Sequence, residues 1–285
     1  MYARVLIATD GSRGAEAAIE YGRFFANRFG SAVEALYVVD TDLKSVVDSG
    51  SVETVFERSE KAGRHALSDL DERMSDVDVS SEVRRGKPYE QIVEHAFSRD
   101  ADLIIVGTTG TTANHLGSTA ERVVTLAHVP VLTVPTAETA TNQRAVSRVD
   151  DIVLPLDGSD TAERAAEHAL DLAEHFGSTI HALYVVDTTV YDLEDASRSI
   201  VGLLREAGER TVETVAETAE SVQVSSTWRV ARGRPAAEIL ARADAVDADL
   251  IVMGTRGQGG LSDRLLGSTT RRVLRDSEYP VLSLS

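Results

Sequence analysis

The chain contains no cysteine and only three lysines among its 285 residues. Without cysteine there are no disulfides and no thiolate metal sites. The chain has 29 basic and 46 acidic residues, which gives a net charge of −17. Because the sequence also has no basic stripe, we expect no nucleic-acid partner. No apolar run approaches the ~18 residues that span a bilayer, so we expect no membrane association. An apolar run at residues 5–8 follows Met1 so closely that we expect no signal peptide and a cytoplasmic protein.

An acidic, lysine-poor composition is typical of proteins that work in concentrated salt. At about 1 M salt, screening shortens the range of charge repulsion to roughly 3 Å, so the folded chain tolerates its own charge. Ordinary acidic drift in a G+C-rich coding sequence is the alternative explanation. The apolar fraction of 42% and the charged fraction of 26% are typical of globular proteins.

An internal duplication organises the chain. Residues 5–12 (VLIATDGS) match residues 152–159 (IVLPLDGS), and ALYVVDT occurs at both 35–41 and 182–188. The offset is 147 residues up to a glycine-rich loop near the end of each copy and 150 residues after it. The first copy therefore has three residues fewer inside that loop. Constancy of this kind over a whole domain indicates two tandem repeats of one fold.

Each copy alternates strands and helices, beginning and ending with a strand. Short β-branched runs such as residues 103–106 are apolar on both faces, as parallel strands covered by helices must be. In copy one the strands are predicted near 4–9, 33–39, 78–84, 102–107 and 130–134, and the helices near 13–29, 47–74, 89–99 and 117–128. In copy two the strands are predicted near 151–156, 179–186, 223–230, 249–254 and 281–284.

This alternation predicts an α/β protein made of two tandem, doubly wound, five-stranded parallel-sheet domains. The predicted boundaries are 1–136 for the first domain, 137–149 for a polar linker and 150–285 for the second domain. Unpaired apolar edge strands invite pairing, and each copy ends in an apolar strand.

The glycine-rich loop of copy two is the strongest functional signal. Residues 253–269 (MGTRGQGGLSDRLLGST) follow a predicted strand and lead into a predicted helix from Ser268. The pattern is G-x-x-G, nine residues, then G-[ST], formed by Gly254, Gly257, Gly267 and Ser268. It is neither a Walker A motif nor a G-x-G-x-x-G motif. A strand, a glycine loop and a helix start present backbone amides to an anion such as phosphate. A flexible surface loop with a helix-capping serine is the alternative.

The spacing resembles that of ATP-binding members of the universal stress protein family. The resemblance implies a Rossmann-like, adenine-nucleotide-binding domain with ATP and Mg²⁺ as its ligands. It also implies a stress-response role and association of the two repeats through their last strands, as a pseudo-twofold pair within the chain; a homodimer is a further option. The implied nucleotide contacts of copy two are Pro155, Leu156, Asp157, Val185, Met253, Gly254, Gly257, Gly267, Ser268 and Thr269.

The resemblance implies a role for each part of this set. Asp157 would lie beside the ribose and adenine, and the main chain of Val185 would bond the adenine edge. The three glycines and Ser268 would hold the phosphates, with Met253 and Thr269 at their flanks. Arg256 and Arg264 are candidates for added positive charge. From the residues alone, Asp157 is equally explained as a helix cap and Val185 as a buried strand residue.

Copy one carries a shortened version of the same pattern. Its loop has six residues between the second and third glycines in place of nine, and both arginines are missing. We expect copy two to bind ATP, and copy one to bind it weakly, differently or not at all. The corresponding residues of copy one are Asp10, Val38, Gly107, Gly110, Gly117 and Ser118.

Groups for phosphoryl-transfer chemistry are lacking in the sequence. There is no Walker lysine and no histidine in the second glycine loop, and positioned cations are what such chemistry needs. His168 and His175 are seven apart on a predicted helix, which indicates a solvated face rather than a shared metal site. We therefore expect an ATP-binding regulatory protein rather than an enzyme. The alternatives are a nucleotide-independent interaction module and a slow Mg-dependent ATPase.

Overall fold

A computed structural model of the chain describes residues 1–42, 52–108, 116–136, 146–188, 198–257 and 265–285. The chain divides into two compact units, Met1–Ser147 and Arg148–Ser285. No helix within the described ranges is both long enough and apolar enough to cross a bilayer.

The first unit is a five-stranded parallel sheet with alternating helices. Its strands lie in the order β3-β2-β1-β4-β5. The elements are β1 (Arg4–Thr9), α1 (Arg13–Phe29), β2 (Ala32–Asp40), α2 (Val52–Arg73), β3 (Val79–Gly86), α3 (Pro88–Ser98), β4 (Leu103–Gly107), α4 (Ser118–Leu126) and β5 (Val131–Val134).

The second unit repeats this arrangement, with the strand order β8-β7-β6-β9-β10. Its elements are β6 (Asp151–Leu156), α5 (Asp160–Phe176), β7 (Thr179–Asp187), α6 (Arg198–Ser221), β8 (Ser225–Gly233), α7 (Pro235–Val246), β9 (Leu250–Gly254), α8 (Ser268–Asp276) and β10 (Val281–Leu284). The predicted α/β, doubly wound fold is confirmed in both units.

Burial explains why the central strands are apolar on both faces. Leu103, Ile104 and Ile105 of β4 have no exposed surface, and neither does Ile251 of β9. In each unit, the second and third strands lie on one side of the first strand, and the fourth and fifth strands lie on its other side. The strand order therefore reverses between β1 and β4, and again between β6 and β9. Ligands of open α/β sheets bind beyond the carboxyl ends of the strands at such a reversal.

Local signals placed four helix ends correctly. Gly30 and Gly177 follow α1 and α5 in the left-handed conformation, with φ of 67° and 76°, which glycine adopts without a Cβ penalty. Pro88 and Pro235 are the first residues of α3 and α7, where the missing N–H costs nothing. Helix α8 spans the predicted residues.

Four predicted boundaries were wrong, and one of them is a helix end: α4 ends at Leu126, two residues before its predicted end at 128. Strands β3 and β8 continue to Gly86 and Gly233, beyond the predicted ends at 84 and 230. They pair with β2 and β7 along their whole length, and this pairing overrides the polar sequence of an edge strand. Strand β8 also begins two residues after its predicted start. In α2, the described helix begins at Val52, and residues 47–51 of the prediction lie outside the described residues.

Candidate functional site

The end of β6 carries a tight turn that leads into α5. Gly158 has φ of 77°, and Ser159 caps the helix because its Oγ accepts a hydrogen bond from the N–H of Ala162 at 3.3 Å. Asp157 accepts two bonds on Oδ1, from the N–H of Ser159 at 3.0 Å and from its hydroxyl at 2.6 Å. Asp157 is therefore not the cap itself. One carboxylate oxygen fixes the capping serine, and the other is directed elsewhere.

The second oxygen of Asp157 lies under the glycine loop. A Cβ placed on Gly257 would collide with Asp157 Oδ2, and apart from its chain neighbours no other residue that the structure describes comes within 4 Å of that position. The backbone after β9 consequently passes directly over the carboxylate. A side chain at this position would displace the carboxylate, which gives Gly257 a steric reason to be glycine. The turn after β6 and the loop after β9 thus meet at one point.

The neck of the loop, formed by Thr255 and Gly267, is closed by a backbone hydrogen bond. The N–H of Gly267 donates to the carbonyl of Thr255 at 2.8 Å, and the N–H of Thr255 donates to the carbonyl of Leu284 at 2.7 Å. The hydroxyl of Thr270 adds a bond of 2.9 Å to the carbonyl of Gly254. The N–H of Gly267 is engaged by the protein, so it is not a phosphate donor.

Helix α8 begins immediately beyond the neck. Gly267 occupies the capping position, so the alternative of a capping serine is wrong: Ser268 is the first helical residue. The first hydrogen bond of the helix runs from Arg271 to the carbonyl of Gly267 at 2.9 Å. The N–H groups of Ser268, Thr269 and Thr270 precede it. Ser268 is exposed and Thr269 half-buried, so the positive helix end is accessible.

Gly254 has a packing role that the sequence did not reveal. A Cβ on Gly254 would lie 2.7 Å from Thr161 Oγ1 and 2.9 Å from the Thr161 backbone carbon. The end of β9 therefore packs directly on the first turn of α5. In the first unit, a Cβ on Gly107 would lie 2.7 Å from the backbone carbonyl of Gly14, so this strand end packs on α1 in the same way. These two glycines permit close contact between strand and helix.

Strand β7 supplies the third side of the site. Its register pairs Tyr184 with Leu156, which sets Val185 at the level of Asp157 on the neighbouring strand. Val185 and Pro155 are half-buried, whereas Leu156 and Met253 are 6% and 4% exposed. The side chains of Leu156 and Met253 belong to the core, so only their backbones are available to a ligand. Arg264 lies outside the described residues.

The first unit reproduces the frame of this site. Asp10 is exposed and accepts a bond from the N–H of Ser12 at 3.0 Å, and Ser12 caps α1. The neck closes through the N–H of Gly117 to the carbonyl of Thr108 at 2.7 Å. Val38 is half-buried on β2, and Ser118 is the first residue of α4. Gly110 lies outside the described residues.

Two hydroxyl groups that sequence reasoning missed reach the loop from α5. The hydroxyl oxygens of Ser159, at 3.3 Å, and of Thr161 both lie within hydrogen-bond distance of the carbonyl oxygen of Arg256. Thr161 is separated from Arg256 by 95 residues, so no local pattern points to the pair. The one sequence signal that could have pointed to Thr161 is the comparison of the two repeats, in which Gly14 stands at the corresponding position.

Of the two histidines of α5, His168 differs from the prediction of a solvated face and His175 agrees with it. His168 is half-buried, and burial lowers its pKa below the usual 6.5. His175 is exposed, with its Nδ1 lying 2.8 Å from the carbonyl oxygen of Asp171. In the part of the chain that the structure describes, no cluster of three potential metal ligands occurs.

Comparison with known proteins identifies the family. The sequence model described as the universal stress protein family matches residues 1–135 and again residues 149–284. The chain belongs to the universal stress protein family. The two matches show that it carries two universal stress protein repeats, which confirms the tandem organisation.

Relatives cover one repeat or both. A universal stress protein of Methanocaldococcus jannaschii is 40% identical over 134 residues, 46% of this chain and 79% of that protein. One from Mycolicibacterium smegmatis is 27% identical over 297 residues, 98% of this chain and 95% of that protein. The crystal structure of a universal stress protein from Archaeoglobus fulgidus matches with a TM-score of 0.74 and 21% identity. It covers 99% of this chain and 98% of that one, and it supports the fold alone.

Proposed function

We propose that the protein binds ATP, together with Mg²⁺, at the carboxyl edge of its second sheet, and that bound nucleotide controls its conformation or choice of partner. The observation that carries the proposal is the meeting of Asp157 Oδ2 with the loop at Gly257, beside the exposed start of α8. A carboxylate oxygen accepts hydroxyl groups, and helix-terminal amides donate to phosphate. A nucleotide offers both kinds of group on one molecule.

We infer from the positions of these groups which of them bind each end of the nucleotide. Asp157 Oδ2 and the main chain of Val185 would bind the adenosine end, because they lie together at the ends of β6 and β7. The amides of Ser268 and Thr269 would bind the phosphates, since they precede the first hydrogen bond of α8. Gly254 and Gly267 support this arrangement by packing and by closing the neck rather than by touching the ligand.

Binding is favoured over catalysis by the composition of the loop. Residues 253–269 contain neither lysine nor histidine, and phosphoryl transfer depends on positioned cations and a residue that orients the nucleophile. We therefore infer a nucleotide-responsive regulatory protein. Slow Mg-dependent hydrolysis is measured directly as ADP released by the purified chain.

A nucleotide-independent interaction module is the second candidate. One observation favours it: Gly254, Gly257 and Gly267 each have a steric reason within the protein, so their presence does not require a phosphate. The two candidates differ in one measurable property, which is whether ATP–Mg binds and raises the unfolding temperature.

Isothermal titration of the full chain with ATP–Mg, alongside native mass spectrometry, tests the proposal. We expect one tight site per chain. Two equal tight sites would contradict the assignment to the second repeat, and absence of binding and of a thermal shift would favour the module.

A matched pair of variants locates the site. In Asp157→Asn the amide oxygen keeps the bonds to Ser159, while an NH₂ group replaces the second acceptor. A hydrogen bond to a charged group contributes about 1.5–3 kcal/mol, so affinity should fall roughly tenfold or more. Asp10→Asn makes the same change in the first repeat, at the same turn, and should leave the tight site unaffected.

A further inference from the structure

The carbonyl group of Arg256 is held by side chains from the start of α5. Thr161 Oγ1 and Ser159 Oγ both lie within hydrogen-bond distance of it, and the two hydroxyl oxygens are 3.2 Å apart. Thr161 is only 6% exposed. Arg256 immediately precedes Gly257, the residue whose backbone crosses the Asp157 carboxylate. The position of this carbonyl therefore fixes the backbone where the loop leaves β9, next to the neck bond between Thr255 and Gly267.

Only one of the two hydroxyl groups is available to Arg256. A serine hydroxyl has a single proton, and that of Ser159 has a better acceptor in Asp157 Oδ1, at 2.6 Å, than in the Arg256 carbonyl, at 3.3 Å. Bonds to a carboxylate are also stronger than bonds to a neutral carbonyl. The proton of Thr161 is consequently the one that bonds to the loop.

The first repeat has no equivalent of this bond. The residue that corresponds to Thr161 is Gly14, which has no side chain, and Gly107 packs directly on its backbone. The neck bond between residues 108 and 117 and the Asp10–Ser12 turn are the same as in the second repeat. The threonine hydroxyl is thus a feature of the second repeat that the shared frame does not require.

We propose that Thr161 is a positioning residue for the phosphate end of the nucleotide site. Its hydroxyl fixes the carbonyl of Arg256, next to Thr255, whose own carbonyl accepts the neck bond from Gly267 just before the phosphate-binding amides. The adenosine end does not depend on it, because Asp157 is held separately through Ser159. This inference rests on the proposed ATP function. It adds a residue that affects the binding of the phosphates but not the binding of adenosine.

The test uses two substitutions at one position. Thr161→Val keeps the shape of the side chain and removes the hydroxyl, so the affinity for ATP–Mg should fall about five- to tenfold, the effect of one net hydrogen bond. The affinity for adenosine should stay the same. Thr161→Ser restores the hydroxyl and should return ATP affinity to within about twofold of wild type. Thr161→Gly, which copies residue 14, provides a second variant without the hydroxyl.

Ser178→Ala is the matched control. Its hydroxyl is also buried and donates to the carbonyl of Val149, at the amino ends of the strands of the same sheet, away from the proposed site. This variant should lower the unfolding midpoint without changing ATP affinity. A general loss of stability is thereby separated from an effect on the loop.

The outcomes distinguish the inference from the function it rests on. If wild type binds ATP and Thr161→Val binds it equally well, or loses adenosine and ATP affinity to the same extent, Thr161 is not a positioning residue for the phosphates. If Thr161→Ser fails to restore affinity, the hydroxyl is not the active feature. If wild type binds neither ligand, the proposed ATP function is itself wrong, and the inference with it.

Discussion

Replacing Gly254 with alanine should destabilise the second unit through a contact that has nothing to do with a ligand. The new methyl carbon would lie 2.7 Å from Thr161 Oγ1 and 2.9 Å from the Thr161 backbone carbon. The hydroxyl is held by the carbonyl of Arg256, and the backbone carbon moves only if α5 moves off β9. Overpacking of this kind costs roughly 1–3 kcal/mol, and the lower chain entropy of alanine returns about 0.4–1 kcal/mol. We expect a net loss of about 1–2 kcal/mol in the free energy of unfolding.

Gly257→Ala is the control within the same loop. Among the described residues, its Cβ would meet the Asp157 side chain at Oδ2, and the far end of a side chain shifts at less cost than backbone. The stability should therefore change by less than about 0.5 kcal/mol, as for a substitution outside the core. ATP affinity should fall, since the carboxylate is displaced from the site. Two glycines three residues apart are thus expected to give opposite signatures.

The assay uses the fluorescence of Trp228, the single tryptophan of the chain. It lies on β8 of the second unit and is 44% exposed, so its emission reports the unfolding of this unit. A loss of 1–2 kcal/mol corresponds to a midpoint lower by about 3–8 °C in a domain of this size. A wild-type midpoint for Gly254→Ala, or a larger loss for Gly257→Ala, would refute the assignment of Gly254 to helix–strand packing.

Three further predictions concern stability. Tyr279→Phe removes a phenol that donates to Asp244 Oδ1 at 3.0 Å, and should cost about 1 kcal/mol in urea unfolding followed by Trp228; an unchanged midpoint would show that the bond contributes nothing. Burial, aided by the charge of Arg84, lowers the pKa of the fully buried His95 below 6.5, although two nearby carboxylates act in the opposite direction. The imidazole therefore takes up a proton at higher pH in the unfolded chain than in the folded one. The free energy of unfolding should consequently fall as the pH drops below about 6.5. In His95→Gln, the free energy of unfolding should change less with pH in this range. An equally steep dependence would show that His95 is not its cause. With a net charge of −17, the unfolding midpoint should rise between about 0.1 M and 1 M KCl as repulsion is screened, and a flat or falling midpoint would count against salt adaptation.

The duplication made most of the fold predictable. A constant offset aligns the same strand, helix and glycine signals twice, so each boundary was supported by two sequences rather than one. Local chemistry sufficed at Gly30 and Pro88, because a left-handed residue and a missing N–H act within one turn. It failed at the ends of β3 and β8, where the exposed Arg85 and Arg232 continue the ladder because a neighbouring strand is present to pair with them.

The sequence predicted which segments meet but not what each glycine does there. Parallel topology alone brings Asp157, Val185 and the loop after β9 to one edge. The distance from Gly254 to Thr161 and the bond from Gly267 to Thr255 are set by how α5 and α8 pack, and no spacing rule contains that information. The pairing of the two repeats through their last strands stays a prediction.

The two repeats provide an internal control for any functional argument. Both close the loop neck with the same backbone bond, and both hold an aspartate against a capping serine. These shared features belong to the fold, so they cannot by themselves explain why one repeat would bind ATP tightly and the other not. The explanation has to lie in what differs, which is the longer second loop with its two arginines and the hydroxyl of Thr161 opposite Gly14. A tight site in the first repeat would therefore overturn both the location and its proposed cause.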